Sequence, residues 1–248
     1  MTRPPHLLIL GGTAEAAALA AALAGRLRVT TSLAGRTEQP APLPGAVRIG
    51  GFGGIEGLAA WLALNDVDLV VDATHPFAAI ISDHAVAACA QRRLPRLRLQ
   101  RPAWMRDPHD RWIEVEDAGA AARALAGLGG RAFLTIGVQD LTAFAGLDGI
   151  WKLIRVIAPP RAALDLGPHE IILGRGPFTL ADERRLLQRY AITVLVTKAS
   201  GGAATEAKLA AAREADLPVI LIRRPPPPPG EIVESVADAL AWVAARIA

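Results

Sequence analysis

The stretch His6-Leu7-Leu8-Ile9-Leu10-Gly11-Gly12-Thr13-Ala14-Glu15 decides how this chain is read. Leu7 to Leu10 leave no polar face, which is how a strand covered on both sides reads. Two glycines then turn the chain, and Thr13 stands where a helix N-cap belongs. A buried strand, a glycine turn and a helix in succession open a parallel α/β unit. With Arg3 in front and an alanine-rich stretch to Gly25 behind, the same letters also resemble a secretory signal peptide. Gly11-Gly12 and the charge of Glu15 break the apolar core such a peptide needs, so strand and helix are the preferred reading.

The pattern repeats along the chain. Strands are expected at 6–10, 27–32, 46–49, 68–72, 96–99, 112–115, 131–136, 151–157, 170–174, 192–197 and 218–222, and helices at 13–24, 56–65, 78–92, 117–127, 179–190, 203–215 and 234–246. Landmarks recur as well. Leu94-Pro95, Leu99 and Arg101-Pro102 return as Leu217-Pro218, Ile222 and Arg224-Pro225 at an offset of 123 residues, and Gly11 returns as Gly137 at 126. The expected fold is α/β, with two tandem Rossmann-like domains, parallel sheets and an interdomain cleft. The break is expected at Gly127–Gly130, giving domains 1–128 and 129–248. Pro225–Pro229 reads as a stiff connector, with a polyproline ligand as the alternative.

Composition narrows the function. With 52% hydrophobic residues in 248, the chain is not disordered. Cys89 stands alone, which excludes an internal disulfide or a thiolate metal cluster and fits a reducing cytoplasm. No apolar run reaches the ~18 residues of a membrane helix. The pI of 9.6 hints at nucleic acid. The excess is only three positive charges, and 5 Trp, 1 Tyr and 5 Phe make a poor base-stacking platform.

Candidate ligand-binding residues cluster after the strands, where open parallel sheets bind ligands. Gly11, Gly12 and Thr13 suit a pyrophosphate, because glycine admits close approach and a helix start offers free N–H groups. After the second strand come Ser32 and Arg36 with no acid before Glu38. A hydroxyl and a guanidinium suit a 2′-phosphate, so NADP(H) is expected rather than NAD. Gly50-Gly51-Phe52-Gly53-Gly54 is a second turn beside a cofactor or a plain connection; it lacks the P-loop lysine. Thr74 and His75 follow the fourth strand, with Pro76 holding His75 extended. His75 is a cofactor contact, a turn residue or a proton donor. Arg175, Lys198 and Ser200, beside glycines in the second half, look like anion recognition. The short-chain dehydrogenase Tyr-x-x-x-Lys pair, a Gly-x-Ser-x-Gly elbow and metal-ligand spacing are all missing from the sequence.

Gly11-Gly12-Thr13-Ala14-Glu15, Asp72-Ala73-Thr74-His75-Pro76-Phe77-Ala78, Arg101-Pro102-x-Trp104, Gly174-Arg175-Gly176-Pro177-Phe178 and Thr197-Lys198-x-Ser200-Gly201-Gly202 together resemble the precorrin-6A reductases of cobalamin biosynthesis. The motifs run from Leu8 to Pro225. The resemblance implies NADPH-dependent reduction of one double bond of precorrin-6A to give precorrin-6B. It implies NADPH held by Gly11, Gly12, Thr13, Ser32 and Arg36, with Thr74 and His75 near the nicotinamide. The substrate's carboxylates would meet Arg175, Lys198 and Ser200. No resident metal, nucleic acid or membrane is expected, and neighbouring pathway enzymes are expected only as transient contacts. Three other readings stand beside it: a non-catalytic NADP-binding sensor, an NADPH-dependent reductase of another small anion, and a methyltransferase, which Arg36 disfavours. The sequence leaves open whether the ring holds cobalt, where the proton comes from, and the oligomeric state.

Overall fold

The computed structural model describes residues 3–35, 42–160 and 162–247. The first half runs β1 (His6–Leu10), α1 (Ala14–Leu23), β2 (Arg28–Leu33), β3 (Ala46–Ile49), α2 (Gly54–Leu64), β4 (Leu69–Asp72), α3 (Ala79–Arg92) and β5 (Arg96–Leu99). Next come β6 (Trp112–Val115), α4 (Ala118–Leu128), β7 (Arg131–Thr135), β8 (Trp151–Val156), β9 (His169–Leu173), α5 (Leu180–Arg189), β10 (Val194–Lys198), α6 (Ala207–Glu214), β11 (Val219–Ile222), β12 (Glu231–Val233) and α7 (Val236–Ile247). All eleven expected strands form, within about two residues at either end. Two 3-10 segments, Val138–Phe144 and Ala203–Thr205, were not expected, and the second delays α6 past position 203. β12 was also missed, because three residues carry too little periodicity to stand out after a proline run.

Two six-stranded parallel sheets result, ordered β12-β5-β4-β1-β2-β3 and β6-β11-β10-β7-β8-β9. In the first, β1 is central, and alternate residues feed two cores. Leu7 and Ile9 pack with α1 and α7, whereas Leu8 and Leu10 pack with α2 and α3. This is why the strand shows no polar face. In the second sheet Phe133, Leu153, Leu195 and Val219 pack with Leu187 of α5 and Leu209 of α6.

The expected domain boundary is corrected. One compact unit comprises residues 1–102 and 225–248, the other residues 103–224. The strand orders match if β1–β5 are aligned with β7–β11, but the sixth positions are exchanged. After β5 the chain supplies β6 and α4 to the second unit, and after β11 it supplies β12 and α7 to the first. The glycines at 129–130 end α4 and let the chain pass Thr193, inside the second unit rather than between units. The recurring Arg101-Pro102 and Arg224-Pro225 are the two crossing points. Among the described residues no helix is long and apolar enough to cross a membrane.

His6, fully buried on β1, is held by Asn65 O on Nδ1 and Thr30 Oγ1 on Nε2, each at 2.8 Å. The carbonyl can only accept, so Nδ1 carries a proton. Burial lowers its pKa below the ordinary 6.5.

Two predictions follow from this architecture. A fragment of residues 103–224 is expected to melt cooperatively, whereas residues 129–248 are not, having lost β6 and the buried Ala121 and Leu125 of α4; circular dichroism melts check this. For His6, the unfolded chain binds the proton more readily than the folded one. Its contribution is therefore full above about pH 6.5 and is lost as pH falls towards the lowered folded value. His6→Gln is expected to flatten the acid-side loss of stability, read as the difference in urea midpoint between about pH 7.5 and about pH 5.5.

Candidate functional site

In the first sheet the chain leaves β1 towards β2 and returns on the other side at β4. The loops after β1 and β4 diverge, and the opening between them is where parallel sheets bind ligands. Gly11-Gly12-Thr13 and Ala73–Ala78 are those loops. A Cβ on Gly11 would lie 2.9 Å from Thr31 Cγ2, so a side chain there is excluded. Gly12 has φ +108°, and a Cβ there would meet nothing within 4 Å, so its backbone faces open space. Thr13 caps α1 by accepting from Ala16 N at 3.1 Å, and its hydroxyl donates to Ala73 O at 2.7 Å, tying the two loops together.

Beneath the β4 loop lies a buried network that the sequence did not reveal. Arg98 Nη1 on β5 sits 2.6 Å from Asp72 Oδ1, with the two side chains 2% and 0% exposed. The same nitrogen donates to Thr74 Oγ1 at 2.8 Å and Ser82 Oγ at 3.1 Å, and Thr74 Oγ1 donates to Asp72 Oδ1 at 2.8 Å. The Thr74 hydroxyl is therefore bonded inward, and the residue stands at the opening beside His75. Arg98 escapes notice because Arg-Leu-Arg-Leu reads as a strand with one wet face; the guanidinium is nevertheless buried because Asp72 lies alongside it. His75 is half-buried and accepts Phe77 N on Nδ1 at 3.3 Å, placing its proton on Nε2 in the neutral ring. Arg101 at the β5 end pairs with Glu15 of α1 at 3.3 Å.

At the β2 end, Ser32 is buried and its carbonyl accepts from Gly11 N at 2.9 Å. Arg36 lies outside the described residues. Across the sheet from Ser32, in register on β3, stands Arg48, which the sequence reading did not single out.

In the second sheet the corresponding divergence lies between β7 and β10. Lys198 at the β10 end forms an ion pair there with Asp140, from the 3-10 segment after β7. The ammonium expected to meet substrate carboxylates is thus faced by a carboxylate of the chain itself. Ser200 is 7% exposed, and Arg224 donates to Ala199 O at 2.7 Å and Ser200 O at 3.1 Å, bracing the loop from behind. Trp104 Nε1 donates to Gly202 O at 2.9 Å. Arg175 is exposed in the β9–α5 loop. That loop meets the β10 loop through Phe178 N to Ala204 O at 3.3 Å, and a Cβ on Gly176 would come 2.9 Å from the same oxygen. Below it Arg155 lies over the Phe178 ring at 3.7 Å and pairs with buried Glu183 at 2.8 Å. Thus Arg175 and the Lys198–Ser200 segment lie on touching loops, and Gly11, Gly12, Thr13, Thr74 and His75 lie on the two loops of the β1/β4 opening.

Among the described residues no cluster of His, Cys, Asp or Glu suits a metal ion. Both openings are lined by backbone amides, hydroxyls and cations, groups that recognise anionic organic molecules.

Comparison with known proteins agrees on one family. A family model described as "Precorrin-6x reductase CbiJ/CobK" matches residues 6–244. The precorrin-6A reductase of Rhodococcus erythropolis is 51% identical over 247 residues, covering 98% of each chain. That of Rhodobacter capsulatus is 44% identical over 245 residues, covering 98% of this chain and 96% of its own. A solved structure titled "CobK precorrin-6A reductase" superposes with a TM-score of 0.93 at 43% identity, covering 98% of this chain and 97% of that one. Likeness of this extent takes in both sheets, the crossing segments and the loops at both openings, and the chain belongs to the precorrin-6x reductase family.

Proposed function

We propose that this chain reduces one ring double bond of precorrin-6A to give precorrin-6B in cobalamin biosynthesis, using NADPH. The observation that carries the reading is the glycine-lined opening between the β1 and β4 loops, on a chain matched by the family model over residues 6–244. The residues present fit the cofactor. Gly12 offers open backbone at a helix start, which suits a pyrophosphate. Ser32 is the penultimate residue of β2, and Leu33-Ala34-Gly35 after it contain no acid to hold a free 2′-hydroxyl. Gly11, Gly12 and Thr13 would hold the pyrophosphate, Ser32 and Arg36 the 2′-phosphate, and the His75 segment the nicotinamide end.

When bound, NADPH supplies a hydride for one ring carbon. The neighbouring carbon takes a proton, for which the chain offers the His75 Nε2–H and solvent offers water. Conjugation in the macrocycle spreads the developing charge, so no strong acid is required of the protein. Thr74 shapes the loop through its inward bonds and, with His75, would stand near the nicotinamide. In the second unit Arg175, Lys198 and Ser200 recognise substrate carboxylates, one of which displaces Asp140 from Lys198. Both relatives quoted are named for precorrin-6A without cobalt, which favours the cobalt-free ring. A cytoplasmic location accords with the single buried cysteine.

Oxidation of NADPH that requires precorrin-6A is the expected result, followed by absorbance. Binding of NADPH without oxidation would instead favour the sensor reading. Arg36→Ala is expected to weaken NADPH binding by about tenfold or more, the scale of one charged hydrogen-bonded contact. Lys198→Met is expected to raise KM for the tetrapyrrole about tenfold while the dissociation constant for NADPH stays unchanged.

A further inference from the structure

Arg48 combines three features that its place in β3 did not announce. Its guanidinium is half-buried, with Nη1 donating to Gly50 O at 2.5 Å, Nη2 to Gly51 O at 2.6 Å, and its carbon 3.8 Å from the centre of the Phe52 ring. Nη1 also comes within 3.5 Å of Ser32 Oγ, the hydroxyl at the end of β2. Among the described residues these partners are all neutral. Three other arginines near strand ends have carboxylates, Asp72 for Arg98, Glu15 for Arg101 and Glu183 for Arg155, whereas Arg131, like Arg48, donates to a backbone carbonyl, Tyr190 O at 2.6 Å.

A cation removed from water without a counter-charge is costly, and burial accordingly lowers the Arg48 pKa. The fold nevertheless retains it here, with two of its nitrogens anchored on the loop and Nε and the second Nη2 hydrogen uncommitted in the same set of bonds. Around it the chain leaves space. A Cβ on Gly50, Gly51, Gly53 or Gly54 would meet nothing within 4 Å, so four glycines line open volume beside a fixed positive charge. Phe52 backs the guanidinium on one side and packs edge-on against Trp61, their ring centres 5.5 Å apart, which locks the fork in orientation.

We infer that Arg48 and Ser32 form a phosphate-monoester subsite that sets the preference of this protein for a 2′-phosphorylated cofactor. The inference rests on the NADPH reading above and deepens it by naming a specificity-determining residue that comes from β3, in addition to the loop after β2. A forked donor held by two carbonyls is preorganised, so its ordering is completed at folding and not at binding.

The test measures NADPH and NADH dissociation constants for the full-length wild-type protein, Arg48→Gln and Arg48→Lys. Arg48→Gln is expected to weaken NADPH binding about 10- to 100-fold and NADH binding far less, so that the ratio of the two affinities collapses. Arg48→Lys keeps the charge but loses the fork, and an intermediate ratio is expected. Should Arg48→Gln fail to fold, Arg48→Lys decides alone, a lowered ratio supporting the assignment and an unchanged one overturning it. If NADPH and NADH affinities fall together, Arg48 only braces the glycine loop and the inference is wrong. A wild type preferring NADPH with an unaltered ratio in both variants also overturns it, leaving the cofactor reading intact. A wild type with no preference for NADPH removes the cofactor reading itself.

Discussion

The ion pair between Arg98 and Asp72 is the constraint on which the first opening depends. Both groups are out of water, and removal of either partner would strand a buried charge at a cost of about 3–5 kcal/mol. The pair joins the ends of β4 and β5, and through Thr74 and Ser82 it also sets the loop and the start of α3. The loop after β4, His75 included, is placed by groups that face away from the opening. Arg155 and Glu183 do the same under the Gly174–Phe178 loop of the second unit, with Phe178 laid over the guanidinium. In each case rigidity at the sheet edge comes from an ionic contact that only a dry environment makes strong.

The exchanged sixth strands give the chain a second kind of constraint. β12 and α7 complete the first unit, with Trp242 and Val243 buried in the same cluster as Leu7 and Ile9. The last residues of the chain therefore belong to the core that its first residues begin. β6 and α4 stand in the same relation to the second sheet. Neither sequence half is a complete domain, and each unit acquires its sixth strand only when chain from beyond a crossing point arrives.

Charge, which opened as a hint of nucleic acid, resolves into local accounts. Three strand-end cations are neutralised by named carboxylates: Lys198 by Asp140, Arg155 by Glu183 and Arg101 by Glu15. Arg48, with neutral partners, is different, and so is Lys152, whose ammonium is caged by the carbonyls of Leu147, Ile150 and Leu166 at 2.7, 3.0 and 2.7 Å. Lys152 is closed on three sides by its own fold, whereas Arg48 stands beside glycines with open space above them. The contrast separates a cation that serves packing from one suited to an anion, and the pI does not distinguish them.

Much of the architecture was legible in the letters, because strand burial and helix starts are local properties. Leu7-Leu8-Ile9-Leu10 had to be a doubly covered strand, and Thr13 had to cap a helix. The five motifs were enough to indicate the family. The domain boundary was not legible, since Gly129-Gly130 look like a break whether they end a domain or merely a helix. Nor were Arg98, Asp140 and Arg48, whose meaning lies in residues 26, 58 and 16 positions away respectively: Asp72, Lys198 and Ser32. Periodicity and punctuation determine which segments are strands and helices, because each depends on neighbours in the chain. Which strand completes which sheet, and whether a charge meets a carboxylate, a carbonyl or open space, was decided only by tertiary structure, because those energies depend on groups that folding alone brings together.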